Sequence, residues 1–223
     1  MNVPSSSELV LVASGTERLP GVLELPPGPR GMVLFAHGSG SSRRSPRNSY
    51  VAGELRRAGL GTLLLDLLSR DEDSEYEHRF DIALLGARLD DAARWLADEP
   101  ETKGLALGLF GASTGAAAAL QLAASRPDEI AAVVSRGGRP DLAGGEALAR
   151  VRAPTLLIVG GEDHAVIELN RQALRELTCE KELAVVRGAT HLFEEPGALG
   201  EVARLAARWF KGYLGTRRQS AAP

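Results

Sequence analysis

Apolar and polar positions sort into two kinds of run along the chain. Residues 31–36, 61–66, 105–110, 130–135, 155–159 and 183–186 are short and almost wholly apolar, the pattern of strands buried on both faces. Between them apolar residues recur at helical spacing, most clearly over 80–97 (Ile82, Leu85, Leu89, Ala93, Leu96), with Pro100 beyond the end. Further helices are expected over 48–58, closed by Gly59, from 114 to about 125, over 165–177, and over 198–214. Residues 8–13 and 21–25 flank Ser14-Gly15-Thr16, which predicts a hairpin. The charged stretch 69–78 reads as a solvated loop. Strands alternating with helices imply an α/β class: a mostly parallel central sheet of about eight strands with helices on both faces. Residues 8–214 form one domain, with 1–7 as an N-terminal extension and 215–223 as a flexible tail. Little sequence is left between strands for a lid.

One strand runs into Gly111-Ala-Ser-Thr-Gly115 and then an alanine-rich helix. The spacing Gly-x-Ser-x-Gly describes a sharp strand-to-helix turn that exposes a serine. The positive end of the helix dipole then faces the Ser113 hydroxyl. The pentapeptide alone equally allows Ser113 to be only a helix cap. In a parallel sheet, ligands bind beyond the C-terminal ends of the strands. Those ends carry His37-Gly-Ser-Gly40, Asp66, Ser113, Arg136, Asp163 and His191. Ser113, Asp163 and His191 follow one another in the order a Ser-Asp-His triad takes on such a sheet.

The residue types assign the roles. Ser113 is the nucleophile, His191 the base that takes its proton, and Asp163 the group that orients the imidazole. The oxyanion hole is expected from the backbone N–H groups of Ser39 and Thr114. The plainer alternatives are Asp163 as a helix cap and His191 as an ordinary loop residue. His37 reads as structural, and Asp66 as structural or as a second-choice acid. Glu162 should point away from the site. His78, His164, Glu194 and Glu195 have no ligand spacing, and no metal or organic cofactor is required.

Arginine supplies a separate signal. Arg43, Arg44 and Arg47 follow the Ser39 loop, and Arg136 and Arg139 follow another strand. If the loops converge, these guanidinium forks, Arg43, Arg44 and Arg136 foremost, clamp a substrate carboxylate or phosphate. Otherwise they form a salt-bridged rim, with Asp71, Glu72 and Asp73 as partners.

Composition narrows the classes. A length of 223 residues suits one sizeable core. A net charge of −3 gives no reason to expect nucleic acid or a membrane as partner. The single cysteine, Cys179, excludes an intramolecular disulfide and fits a cytoplasmic protein. The N-terminus lacks the pattern of a signal peptide, and no apolar run is long enough to span a bilayer.

With these motifs the whole domain resembles a small serine hydrolase of the α/β-hydrolase superfamily, in the dienelactone hydrolase-like group. The resemblance is carried by His37-Gly-Ser-Gly-Ser-Ser-Arg-Arg-Ser-Pro-Arg-Asn48, Gly111-Ala-Ser-Thr-Gly115, Ser135-Arg-Gly-Gly-Arg-Pro-Asp141 and His191-Leu-Phe-Glu-Glu-Pro-Gly197. It implies the α/β-hydrolase fold and hydrolysis of a small carboxylic ester or lactone, anionic where the arginines converge. Dienelactone hydrolases proper use cysteine where this chain has Ser113, so the substrate is not implied to be a dienelactone. Acyl transfer, peptide cleavage and an idle ligand-binding site are the other readings of the same triad.

Overall fold

The computed structural model describes residues 6–215. Among them eight strands form one sheet: β1 (Ser6–Ser14), β2 (Glu17–Leu25), β3 (Met32–Ala36), β4 (Gly61–Leu65), β5 (Leu107–Ala112), β6 (Ile130–Arg136), β7 (Thr155–Gly160) and β8 (Lys181–Val186). The order across it is β1-β2-β4-β3-β5-β6-β7-β8. β1 pairs antiparallel with β2, and β2 with β4; every later pairing is parallel. The fold is that of the α/β hydrolases.

The helices are α1 (Pro46–Arg57), α2 (Arg70–Ser74), α3 (Ile82–Asp98), α4 (Thr114–Ser125), α5 (Gly145–Arg150), α6 (His164–Glu176) and α7 (Ala198–Leu214). The all-buried strands β3, β4 and β7 require cover on both faces. One face packs residues of α3 and α4, such as Leu85, Leu89, Ala117 and Leu120, against Leu34, Leu63 and Leu109. The other packs Val51, Leu55, Val202, Ala206 and Phe210 of α1 and α7 against Val33, Phe35, Phe110 and Val134. The all-buried alanines of α4 (Ala116 to Ala119) let that helix lie close to the sheet.

Three differences from the sequence reading have simple causes. The charged stretch after residue 69 is not a loop: Ser69 and Glu72 form a reciprocal capping box that starts α2, followed by a 3-10 turn at Tyr76–Phe80. Strand β1 begins at Ser6, inside the expected extension, because the hairpin ladder continues to Ser6 opposite Leu25. Helix α1 begins at Pro46 rather than 48, with Ser45 as its cap and proline in the first turn. The expected tail beyond Gly215 lies outside the described residues, as do residues 1–5 of the expected extension.

β3 lies between β4 and β5, the place where the strand order reverses. Ala36 pairs with Gly111 there, so the loop after β3 and the turn after β5 meet at one sheet edge.

Candidate active site

Ser113 sits at φ 51°, ψ −122°, one of only two non-glycine residues with positive φ among the described residues. Such a conformation costs on the order of 1–3 kcal/mol and persists only when its surroundings impose it. Here they do. The Ser113 N–H donates to the Arg136 carbonyl (3.2 Å), and the Ser113 carbonyl accepts from the Arg139 N–H (3.1 Å). The flanking glycines are demanded by space. A Cβ at Gly111 would lie 2.4 Å from Ala116 Cα, and one at Gly115 would lie 2.3 Å from the Ala36 carbonyl oxygen. A Cβ on Gly38 would meet the Ser113 Cβ at 2.9 Å, so the loop after β3 presses directly on the serine. The Ser113 hydroxyl makes no hydrogen bond with another described residue, which leaves it available to a substrate.

Asp163 and His191 are brought together. His191 Nδ1 lies 2.6 Å from Asp163 Oδ2. Asp163 occupies the cap position of α6, but its side chain makes no capping bond, so the helix-cap alternative does not describe it. The contact depends on how two loops are seated. The Glu162 N–H donates to the Ala189 carbonyl (3.0 Å), while a Cβ at Gly160 would lie 2.4 Å from that same oxygen. Gly137 completes the link to Ser113. It follows Arg136, has φ +51°, and a Cβ there would be 3.5 Å from His191 Cε1. The His191 side chain is 39% exposed and that of Asp163 16%, so the imidazole is open to solvent while its partner is shielded. Glu162 and His164 are exposed and make no side-chain hydrogen bond.

At the expected oxyanion site, the Thr114 N–H has no acceptor among the described residues, as the first position of α4 requires. The Ser39 N–H, expected to be free, instead donates to Thr114 Oγ1 at 2.9 Å. His37 is structural. Its Nδ1 contacts the Gly38 carbonyl (3.0 Å) and its Nε2 accepts the Leu67 N–H (3.0 Å). Burial holds its pKa below the ordinary 6.5, against the opposing pull of that Gly38 contact.

The arginines divide sharply, and the expected clamp of Arg43, Arg44 and Arg136 is not assembled. Arg43 is held by Asp66 through both its guanidinium and its N–H (2.6 Å), which also settles Asp66 as a loop brace. Arg44 is exposed, and its side chain makes no hydrogen bond among the described residues. Arg139 is bidentate to Asp141 at 2.9 and 2.7 Å. Arg136 is 8% exposed, and neither its Nε nor its Nη1 has a partner. Nor does the acidic run neutralise this rim: Glu72 pairs with Arg88 and Asp73 with Arg79, because α2 turns them toward α3 and the 3-10 turn. Sequence reasoning also missed the Thr114 hydroxyl and the partner of Arg47, whose Nη1 meets Glu194 Oε1 at 2.9 Å.

Cys179 is half-buried, with its thiol pushed up by burial and its Sγ 3.8 Å from Thr155 Oγ1. Among the described residues no group of three or more His, Cys, Asp or Glu could hold a metal ion, and no helix is long and apolar enough to cross a membrane.

The chain and its fold have counterparts among known proteins. Two Mycobacterium tuberculosis proteins, from strains CDC 1551 and H37Rv, are each 54% identical over 211 residues. Their names carry a provisional phosphoribosyl transferase assignment. The match covers 95% of this chain but 47% of theirs, so the chain spans about half the length of these relatives. The crystal structure of a dienelactone hydrolase from Anabaena variabilis superimposes with a TM-score of 0.91 at 55% identity, covering 94% of this chain and 99% of that one. Est1E from Butyrivibrio proteoclasticus shares the fold at 14% identity, with a TM-score of 0.79 over 92% of this chain and 98% of that one. The model of the dienelactone hydrolase family matches residues 27–214, which run from just before β3 to the end of α7 and include every residue of the site described above. On that match, and on the Anabaena likeness, the chain belongs to the dienelactone hydrolase family.

Proposed function

We propose that the chain is a serine hydrolase that cleaves a small carboxylic ester or lactone through an acyl-enzyme. The observation that carries this reading is the 2.6 Å contact between Asp163 and His191, on loops beside a strained, unbonded Ser113. Ser113 Oγ attacks the carbonyl carbon as His191 Nε2 takes its proton, and the carbonyl oxygen becomes an oxyanion near the N-terminus of α4. Collapse breaks the bond to the alcohol oxygen, which receives the proton from His191 and leaves. Water then attacks the acyl carbon, again giving its proton to His191. That proton returns to Ser113 Oγ as the acid departs. Asp163 keeps the imidazole proton on Nδ1, so that Nε2 is the basic edge, and stabilises the imidazolium.

The 55% identity to the dienelactone hydrolase of Anabaena variabilis supports hydrolysis as the reaction class. The transferase assignment of the M. tuberculosis relatives concerns proteins of which this chain spans 47%, and nothing in the Ser113 site calls for that chemistry. The test is turnover of p-nitrophenyl acetate by wild type, Ser113→Ala and His191→Ala. Loss in both variants with an unchanged melting temperature supports the reading, and wild-type rates in either would sink it.

A further inference from the structure

The side chain of Arg136 is the least satisfied charge near Ser113. Side chains alternate along a strand. Ser135 faces α4, since a Cβ at Gly138 would strike both Ser135 Oγ and the Ala116 Cβ. Val134 packs on the other face, with α1 and α7. Arg136 therefore projects to the α1/α7 face, within range of the charge on Arg47 in the first turn of α1. That turn has no acidic residue. It holds Arg47 instead, the wrong sign for a helix N-terminus. It also holds Asn48, 2% exposed, on the inward stripe that continues through Val51, Ala52 and Leu55. Arg47 Nε, Asn48 Oδ1, Arg136 Nε and Arg136 Nη1 are all buried without a partner.

Among the described residues no carboxylate pairs with Arg136. Burial and then repulsion from Arg47 bring the Arg136 pKa down to about 10. Glu194 takes Arg47 only at the rim, where it is 63% exposed, and Glu195 is turned to the Thr190 hydroxyl at 2.6 Å. Buried arginines are ordinarily paired, and a guanidinium fork matches a carboxylate or phosphate in two parallel bonds. The Arg136 carbonyl accepts the Ser113 N–H, so the backbone that carries this fork is bonded to that of the reacting serine.

We propose that Arg136 and Arg47, with the first turn of α1, form the pocket for an anionic substituent of the substrate, a carboxylate or a phosphate, seated beside Ser113. The proposal rests on the hydrolase reading for its substrate, though the pocket itself is testable without turnover. It differs from the arrangement expected from sequence, because Arg43 and Arg44 play no part.

Two measurements test it. The first compares kcat/KM for p-nitrophenyl acetate with that for mono-p-nitrophenyl succinate, in wild type, Arg136→Met and Arg47→Gln. Wild type is expected to prefer the succinate ester, and either variant to lose that preference by roughly 10- to 100-fold, the range for hydrogen bonds to a charge. The second follows the melting temperature against added succinate or inorganic phosphate, using Ser113→Ala as well as wild type. Both proteins are expected to be stabilised, the larger shift naming the preferred oxyanion, and Arg47→Gln to lose the effect. Arg47 is partly exposed, so this variant reports even if Arg136→Met does not fold. An unchanged ester preference in the folded variants, or no stabilisation by either anion, would overturn the pocket. If Ser113→Ala hydrolysed the esters like wild type, the hydrolase reading would fall while the anion shifts still judged the pocket.

Discussion

The Ser39 N–H and the Thr114 hydroxyl are bonded to each other at 2.9 Å, across the gap between the loop after β3 and the first turn of α4. The hydroxyl is the acceptor in this pair, so its own proton is free to point elsewhere. Polarised by the Ser39 N–H, it becomes a better donor.

Thr114 is therefore expected to serve the oxyanion through its side chain as well as its N–H. Thr114→Val should lower kcat on an activated ester by about 10²-fold, the scale for loss of one such donor, with KM little changed, while Thr114→Ser keeps most activity. A Thr114→Val enzyme as fast as wild type would show that the hydroxyl only competes for the Ser39 N–H.

Asp163→Asn should cost about 10³- to 10⁴-fold in kcat, because an amide no longer favours the imidazole tautomer with a basic Nε2. Asp66→Asn should cost less than about tenfold, since that carboxylate holds Arg43 rather than a histidine. Comparable losses in the two variants would transfer the orienting role to Asp66.

His37 is held neutral by burial, with a pKa below 6.5, and its Nε2 accepts the Leu67 N–H. Between its folded pKa and 6.5 the unfolded chain binds more protons than the folded one, so stability rises with pH in that window. The melting temperature should fall on going from about pH 7 toward pH 5. His37→Gln, which keeps an acceptor for Leu67, should flatten that slope. An identical slope in the variant would place the titration elsewhere.

Two glycines give opposite expectations. A Cβ at Gly115 would lie within 2.5 Å of both the Ala36 and His37 carbonyl oxygens, whereas Gly212, inside α7, has nothing within 4 Å. Gly115→Ala should destabilise by about 3 kcal/mol or prevent folding, and Gly212→Ala should stabilise by roughly 0.5–1 kcal/mol. Urea midpoints check both, and a Gly115→Ala protein of wild-type stability would mean the two backbones separate easily.

Much of this was legible because periodicity and local motifs carry it. The apolar stripe Ile82, Leu85, Leu89, Ala93, Leu96 became α3, and the pentapeptide around Ser113 became the strained turn. Asp163 and His191 were readable from their places after strands. The capping box of Ser69 and Glu72 was also in the sequence, but a run of charge masked it. The arginines were not legible, because their fates depend on partners far along the chain: Asp66 for Arg43, Glu194 for Arg47 and none for Arg136. Arg47 had one local signal. Placing the start of α1 two residues late hid the fact that a cation stands in its first turn.

The conformation of Ser113 also has a consequence in time. It is imposed by Arg136 and Arg139 from a different part of the chain and by Gly38 from another, contacts that span stretches of some 25 and 75 residues. Local structure forms early in folding, and parallel pairings across such distances form late. A helix α4 assembled on its own would carry an ordinary serine at its tip. The serine acquires its unusual geometry only once β3, β5 and β6 lie side by side. In refolding, returning reactivity should thus trail the return of helical signal, marking the moment the centre of the sheet closes.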